Sequence, residues 1–136
     1  MPKYNAKGRS NHDARHVRLY HYEMESDAFN ALRPVEVRIL LELRRRFSGR
    51  NNGYITLSAR EAGKVAYCGK TTANKALKQL QALGFITIHE KGYFTTRQAT
   101  TWILTNEDFN GQKASKDFMK WQRPLASQSQ RPIGLP

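Results

Sequence analysis

The sequence predicts an α+β fold in one domain, and three observations carry that expectation. Apolar residues recur at helical spacing in three stretches between residues 34 and 83, and short β-rich runs lie at 54–57, 85–88 and 99–105. The chain's 136 residues also match the length of a single ordinary domain, which leaves no room for separate cofactor and substrate halves.

Taken in order, Ser26 can cap a short helical turn through Ala28 and Phe29. Pro34 then suits the first position of a longer helix, where its missing N–H would be unpaired in any case. Val35, Ile39, Leu40, Leu43 and Phe47 form one face of that helix, with Arg38, Glu42, Arg45 and Arg46 on the other, and residues 49–53 end it. Residues 54–57 alternate, placing Ile55 and Leu57 on one side of a strand behind an Asn-Gly turn.

Ser58 and Glu61 have the spacing of a capping box: the hydroxyl takes the third N–H and the carboxylate reaches back to the cap. A second helix therefore begins at Ser58, carries Ala62, Val65 and Ala66, and stops near Tyr67, Cys68 and Gly69. Ala73, Leu77, Leu80 and Leu83 mark a third helix over 70–83. Gly84 can turn left-handed at its end, with Phe85 placed for the accompanying hydrophobic contact. Two strands follow, 85–88 and 99–105, the second with Trp102 and Leu104 on one face. The order helix, strand, helix, three-residue turn, helix, strand, loop, strand is that of a winged helix-turn-helix with a three-stranded antiparallel sheet.

Residues 16–121 are expected to form the domain, and residues 1–15 and 122–136 to be flexible tails. The first tail is basic and nearly free of aliphatics; the second holds three of the five prolines. An apolar share of 39% agrees with some chain lying outside the core.

The charge balance bounds the partner. Lys plus Arg is 23 against 11 Asp plus Glu, a net +12, which makes a polyanion the leading candidate. The lone Cys68 excludes an internal disulfide framework and a Cys-rich zinc site, and it reads as a small buried hydrophobe. No apolar run is long enough to cross a bilayer and no apolar segment backs the basic start, so the expected location is the cytoplasm, on the nucleoid.

With the third helix's apolar side turned inward, Lys70, Thr71, Thr72, Asn74, Lys75 and Lys78 are left outward. These hydroxyl, amide and cationic groups suit base edges and phosphates in a major groove about 12 Å wide. In the loop of 90–98, Lys91, Tyr93 and Arg97 are candidate wing contacts to backbone or minor groove. Ser58, Arg60 and Arg46 are candidate backbone contacts, and the arginine run 44–46 with Arg50 reads as a solvated helix end adding to the field.

Other motifs carry nothing. Gly69, Lys70 and Thr71 look like the end of a P-loop, but the required earlier glycine is displaced to Gly63 and a helix, not a strand, precedes them. His12 and His16 are four apart without a helical pattern or further ligands, so neither metal nor cofactor is expected. His21 and His89 are expected at strand edges, and no Ser/His/Asp grouping stands close enough to imply an enzyme.

The stretches HVRLYHYEMES, GRNNGYITLSAREAG, KTTANKALKQLQALGFI, ATTWILT and ASKDFMKW, covering about 16–121, resemble a group of small bacterial winged-helix proteins. They are similar also to the amino-terminal domain of phage and plasmid replication proteins. The resemblance implies that 58–66 is the positioning helix, 70–83 the recognition helix and 91–98 the wing. The chain departs from the common pattern at Gly69, where serine or a similar cap is usual. A replication protein would continue into a second domain, so the polar tail after Trp121 shifts the expectation towards a stand-alone transcriptional regulator binding double-stranded DNA. A replication or partition accessory on an array of sites is the alternative. An RNA binder using Tyr4, Tyr20 and Tyr22 is a further one. A homodimer on two half-sites is compatible with such domains. Phe118 and Trp121, three apart, are expected to dock a short helix on the domain.

Overall fold

The computed structural model describes residues 14–92 and 98–125, and within them local sequence signals produce the elements in order. α1 (His21–Met24) and α2 (Asp27–Asn30) are single turns, the second capped by Ser26, whose Oγ accepts from the Phe29 N–H at 3.1 Å. α3 (Pro34–Arg46) starts on its proline, and Glu36 closes its first turn by accepting from the Arg33 N–H at 2.8 Å. β1 (Ile55–Thr56) leads to α4 (Ala59–Ala66), where the Ser58–Glu61 capping box forms as its spacing requires.

α5 (Lys70–Ala82) follows after three residues and ends in a left-handed Gly84 with φ 91°. The Phe85 N–H donates to the Leu80 carbonyl and the Gly84 N–H to that of Gln81, which satisfies two carbonyls the helix end would otherwise leave open. β2 (Ile86–Glu90) and β3 (Thr101–Leu104) complete an antiparallel sheet in the order β1-β3-β2. Among the described residues the class is therefore α+β with a three-stranded antiparallel sheet, as the sequence predicts.

One core joins these elements. Ile39, Leu40 and Leu43 of α3, Ala73, Leu77 and Leu80 of α5, Ile55 and Leu57 beside β1, and Trp102 and Leu104 of β3 are all buried together. The Trp102 indole N–H donates to the Leu57 carbonyl at 3.0 Å, so this large ring is buried without an orphaned donor. Phe118, in the 3₁₀ turn Asp117–Met119, is fully buried and stacks on Phe85 with centroids 4.9 Å apart, and Trp121 packs against the same core. Packing continues to the Arg123 N–H, which donates to Asp27 Oδ2 at 3.1 Å.

Several expectations need correction. His21 opens helix α1 and is not at a strand edge, because Glu23 accepts from the Tyr20 N–H and closes that turn. Arg44 does not belong to a solvated helix end: it is buried and donates to the equally buried Glu23 at 2.6 Å. Glu42, expected on the outer face of α3, is only 2% exposed because the guanidinium groups of Arg38, Arg45 and Arg46 cover it. Arg45 and Arg46 hold its carboxyl down at about 2, chiefly through the Arg45 hydrogen bonds, against the opposing effect of its burial.

Candidate nucleic-acid interface

The α4–α5 pair is set by the turn between its helices. Both the Tyr67 and Cys68 N–H groups donate to the Gly63 carbonyl, and Tyr67 adopts a left-handed φ of 56° to make this reversal. A Cβ at Gly63 would lie 2.7 Å from the Cys68 carbonyl oxygen, so only glycine lets the chain fold back so closely. Cys68 is partly buried against the core, as a small hydrophobe in a turn should be. Gly69 caps α5 through backbone geometry alone, with no side-chain hydrogen bond, and the helix begins at Lys70.

Inward, α5 presents Ala73, Ala76, Leu77 and Leu80; outward, Lys70, Thr71, Thr72, Asn74, Lys75 and Lys78 are all exposed. Thr71, Lys75, Lys78 and Ala82 follow one another at four, three and four residues, so they form the line farthest from the core. Asn74 lies on one flank of that line and Thr72 on the other, and Thr72 and Lys75 border a groove shared with Arg33 at the start of α3.

Electrostatically, this face differs from α3. The ion pairs among the described residues engage Arg33, Arg38, Arg44, Arg45, Arg46 and Lys120. None of those ion pairs engages Arg60, Lys64, Lys70, Lys75, Lys78 or Lys91, and residues 62–89 contain no Asp or Glu at all. The cations of α3 are engaged in ion pairs within the domain, Arg38 and Arg45 from an exposed position, whereas those of α4, α5 and the start of the β2–β3 connection are exposed and enter no such pair.

The remaining sequence candidates divide. Arg60 and Lys91 are exposed. Arg46 is committed internally, donating to Glu42 at 2.9 Å and to the Thr56 carbonyl at 2.7 Å, with Glu61 3.5 Å away. The Ser58 hydroxyl accepts from the Glu61 N–H as a helix cap. Tyr93 and Arg97 lie outside the described residues. At the base of the β2–β3 connection, a Cβ on Gly92 would sit 2.3 Å from the Gln98 carbonyl, and the Gly92 N–H donates to Thr100 Oγ1 at 3.0 Å, so its two sides close tightly there. Of the aromatics considered for RNA, the Tyr20 and Tyr22 rings stack on each other at 5.7 Å with the Lys116 ammonium over Tyr22, and both tyrosines stay exposed; Tyr4 lies outside the described residues.

Sequence reading passed over Lys64 and Tyr67. Both are exposed beside the candidate helix, and the signal that could have found them is the acid-free run in which they sit. Among the described residues no group of three or more His, Cys, Asp or Glu could hold a metal ion, and no helix is long and apolar enough to cross a membrane. Comparison with protein families, with curated proteins and with solved structures gives no match to this chain.

Proposed function

We propose that this chain is a winged helix-turn-helix protein that binds double-stranded DNA in a sequence-specific way, as a transcriptional regulator of a bacterium or mobile element. α5 is the reading helix in the major groove and the β2–β3 connection is the wing. The observation that carries this reading is the uncompensated cationic face of α4 and α5: Lys64, Lys70, Lys75 and Lys78 are exposed on a stretch without one acidic residue. A polyanion is the chemical complement of such a face. The stripe of Thr71, Lys75 and Lys78, flanked by Asn74, adds donors that can address base edges as well as phosphates.

The test begins with selection of bound fragments from a random duplex library, followed by anisotropy titrations of the selected duplex at several salt concentrations. About 5 to 8 neutralised phosphates give a slope of log affinity on log salt of roughly −4 to −7. A selected duplex bound no better than random sequence removes the specific reading, and a slope near zero removes DNA binding altogether.

A further inference from the structure

Tyr67 is the most exposed large hydrophobic residue of the described chain, with 96% of its surface open, and it stands on a left-handed backbone. That combination is doubly unfavourable for the fold alone. A bulky side chain strains at positive φ, where glycine or asparagine is accommodated, and an aromatic ring without packing gains nothing from folding. The turn nevertheless fixes it, because two N–H groups converge on the Gly63 carbonyl and hold the reversal in place. Other exposed tyrosines have partners: Tyr54 meets the His89 ring, and Tyr20 and Tyr22 stack on one another. No ring contact or hydrogen bond of the Tyr67 side chain exists among the described residues.

Its surroundings indicate what covers it. Lys64 and Lys70 flank it three residues away on either side, both exposed and without acidic partners, and the chain bounds the Cα separation from Lys70 at about 11 Å. We infer that Tyr67 is a DNA-backbone contact, its ring lying against a deoxyribose at the groove rim and its phenol O–H donating to a phosphate oxygen between those two lysines. The inference rests on the DNA-binding reading above and adds to it a neutral contact that fixes how the turn sits on the duplex. Such a contact carries no base information, so it strengthens selected and random sequences alike.

Tyr67→Gly and Tyr67→Asn both suit the left-handed backbone, so each variant is expected to melt within about 3 °C of the unaltered protein or above it. Each is expected to lose about tenfold in affinity on selected and random duplexes, an effect the size of one good neutral or charge-assisted hydrogen bond with ring packing. The salt slope should stay unchanged, because no cation is lost, whereas Lys75→Ala should reduce its magnitude by about one. If the unaltered protein binds duplex and both Tyr67 variants keep its Kd within twofold, Tyr67 is not a contact and the DNA reading stands without it. If the unaltered protein binds no duplex, both readings fall together. A loss confined to the selected sequence overturns the backbone assignment.

Discussion

Phe118→Ala offers the sharpest test of how this domain is closed. The ring is fully buried and lies parallel to that of Phe85, with centroids 4.9 Å apart and planes within 7°, while Phe85 in turn meets the edge of Phe29. The chain presses so closely here that a Cβ on Gly84 would lie 2.7 Å from the backbone of Asp117 and Phe118. Three segments far apart in sequence thus share one aromatic cluster. Returning a fully buried phenyl ring to water costs about 2 to 3 kcal/mol, and the lost ring pairing adds about 0.5 to 1.5 kcal/mol. With the cavity left behind, the total falls in the range of about 3 to 5 kcal/mol typical of such truncations. For a domain of this size that is a fall of about 12 to 20 °C in the melting midpoint. Thermal melts by circular dichroism, with urea titrations as a second measure, check it; Phe118→Leu, which keeps most of the volume, should fall by far less. A Phe118→Ala protein melting within about 4 °C of the unaltered chain would refute the claim that the carboxy-terminal turn belongs to the core.

Three further outcomes are expected. Glu42 is held at about 2 in the fold against 4.5 for an ordinary glutamate, so its stabilisation is fully present above pH 4.5 and is lost as pH falls from there towards 2; unfolding free energies measured across that window should fall with acidification, and Glu42→Gln should flatten the fall. Glu23→Gln leaves the Arg44 charge buried without its counter-ion and should cost about 3 to 5 kcal/mol in urea unfolding, with the double change Glu23→Gln and Arg44→Met recovering much of it; a single-variant cost under about 1 kcal/mol would contradict a buried pair. Asn74→Ala and Lys78→Ala should each cost about 1 to 3 kcal/mol and relax preference at one base position, whereas Lys91→Ala should weaken all duplexes alike; equal losses on selected and random DNA for all three would reject α5 as the reader.

What the sequence discloses and what it conceals divides along contact range. The Ser58–Glu61 capping box, the proline start of α3 and the Gly84 reversal are settled by neighbours within a few residues, so the pattern shows them. Arg44 looks like one arginine of three until Glu23, 21 residues earlier, is folded against it. The same applies to Glu42: its charge argues for solvent, yet three flexible guanidinium groups can close over a carboxylate without breaking the helix. Within the candidate interface, the outward set of α5 is legible because its inward set is strictly periodic, and an exposed side chain needs no distant partner to be predicted. The internal engagement of Arg46 is only half legible: Glu42 lies four residues back on its own helix, but Thr56 and Glu61 come from elements beyond it. β2 hides a subtler feature: a bulge between Ile88 and Glu90 leaves His89 out of register, and its Nδ1–H donates to the Gly53 carbonyl at 2.7 Å.

Asn52 bears on the chemical lifetime of the protein. Its Nδ2 donates to the carbonyls of Leu104, Glu107 and Asp108, and its Oδ1 accepts from the Leu104 N–H at 2.7 Å, so the whole amide is locked against the end of β3. The residue after it is Gly53, and an Asn-Gly pair is the dipeptide whose main-chain nitrogen most readily attacks the side-chain amide to form a succinimide and release ammonia. That attack needs the side chain to rotate free, which the native hydrogen bonds prevent. Asn110, also followed by glycine, is exposed in a turn with φ 56° and has no such restraint. On storage, deamidation should accumulate first at Asn110, while Asn52 reacts only in molecules that have opened. Once it does, an Asp at position 52 would set a carboxylate against three carbonyl oxygens, so opening there becomes irreversible damage, and peptide mass mapping of aged protein would count the molecules that have passed through the open state.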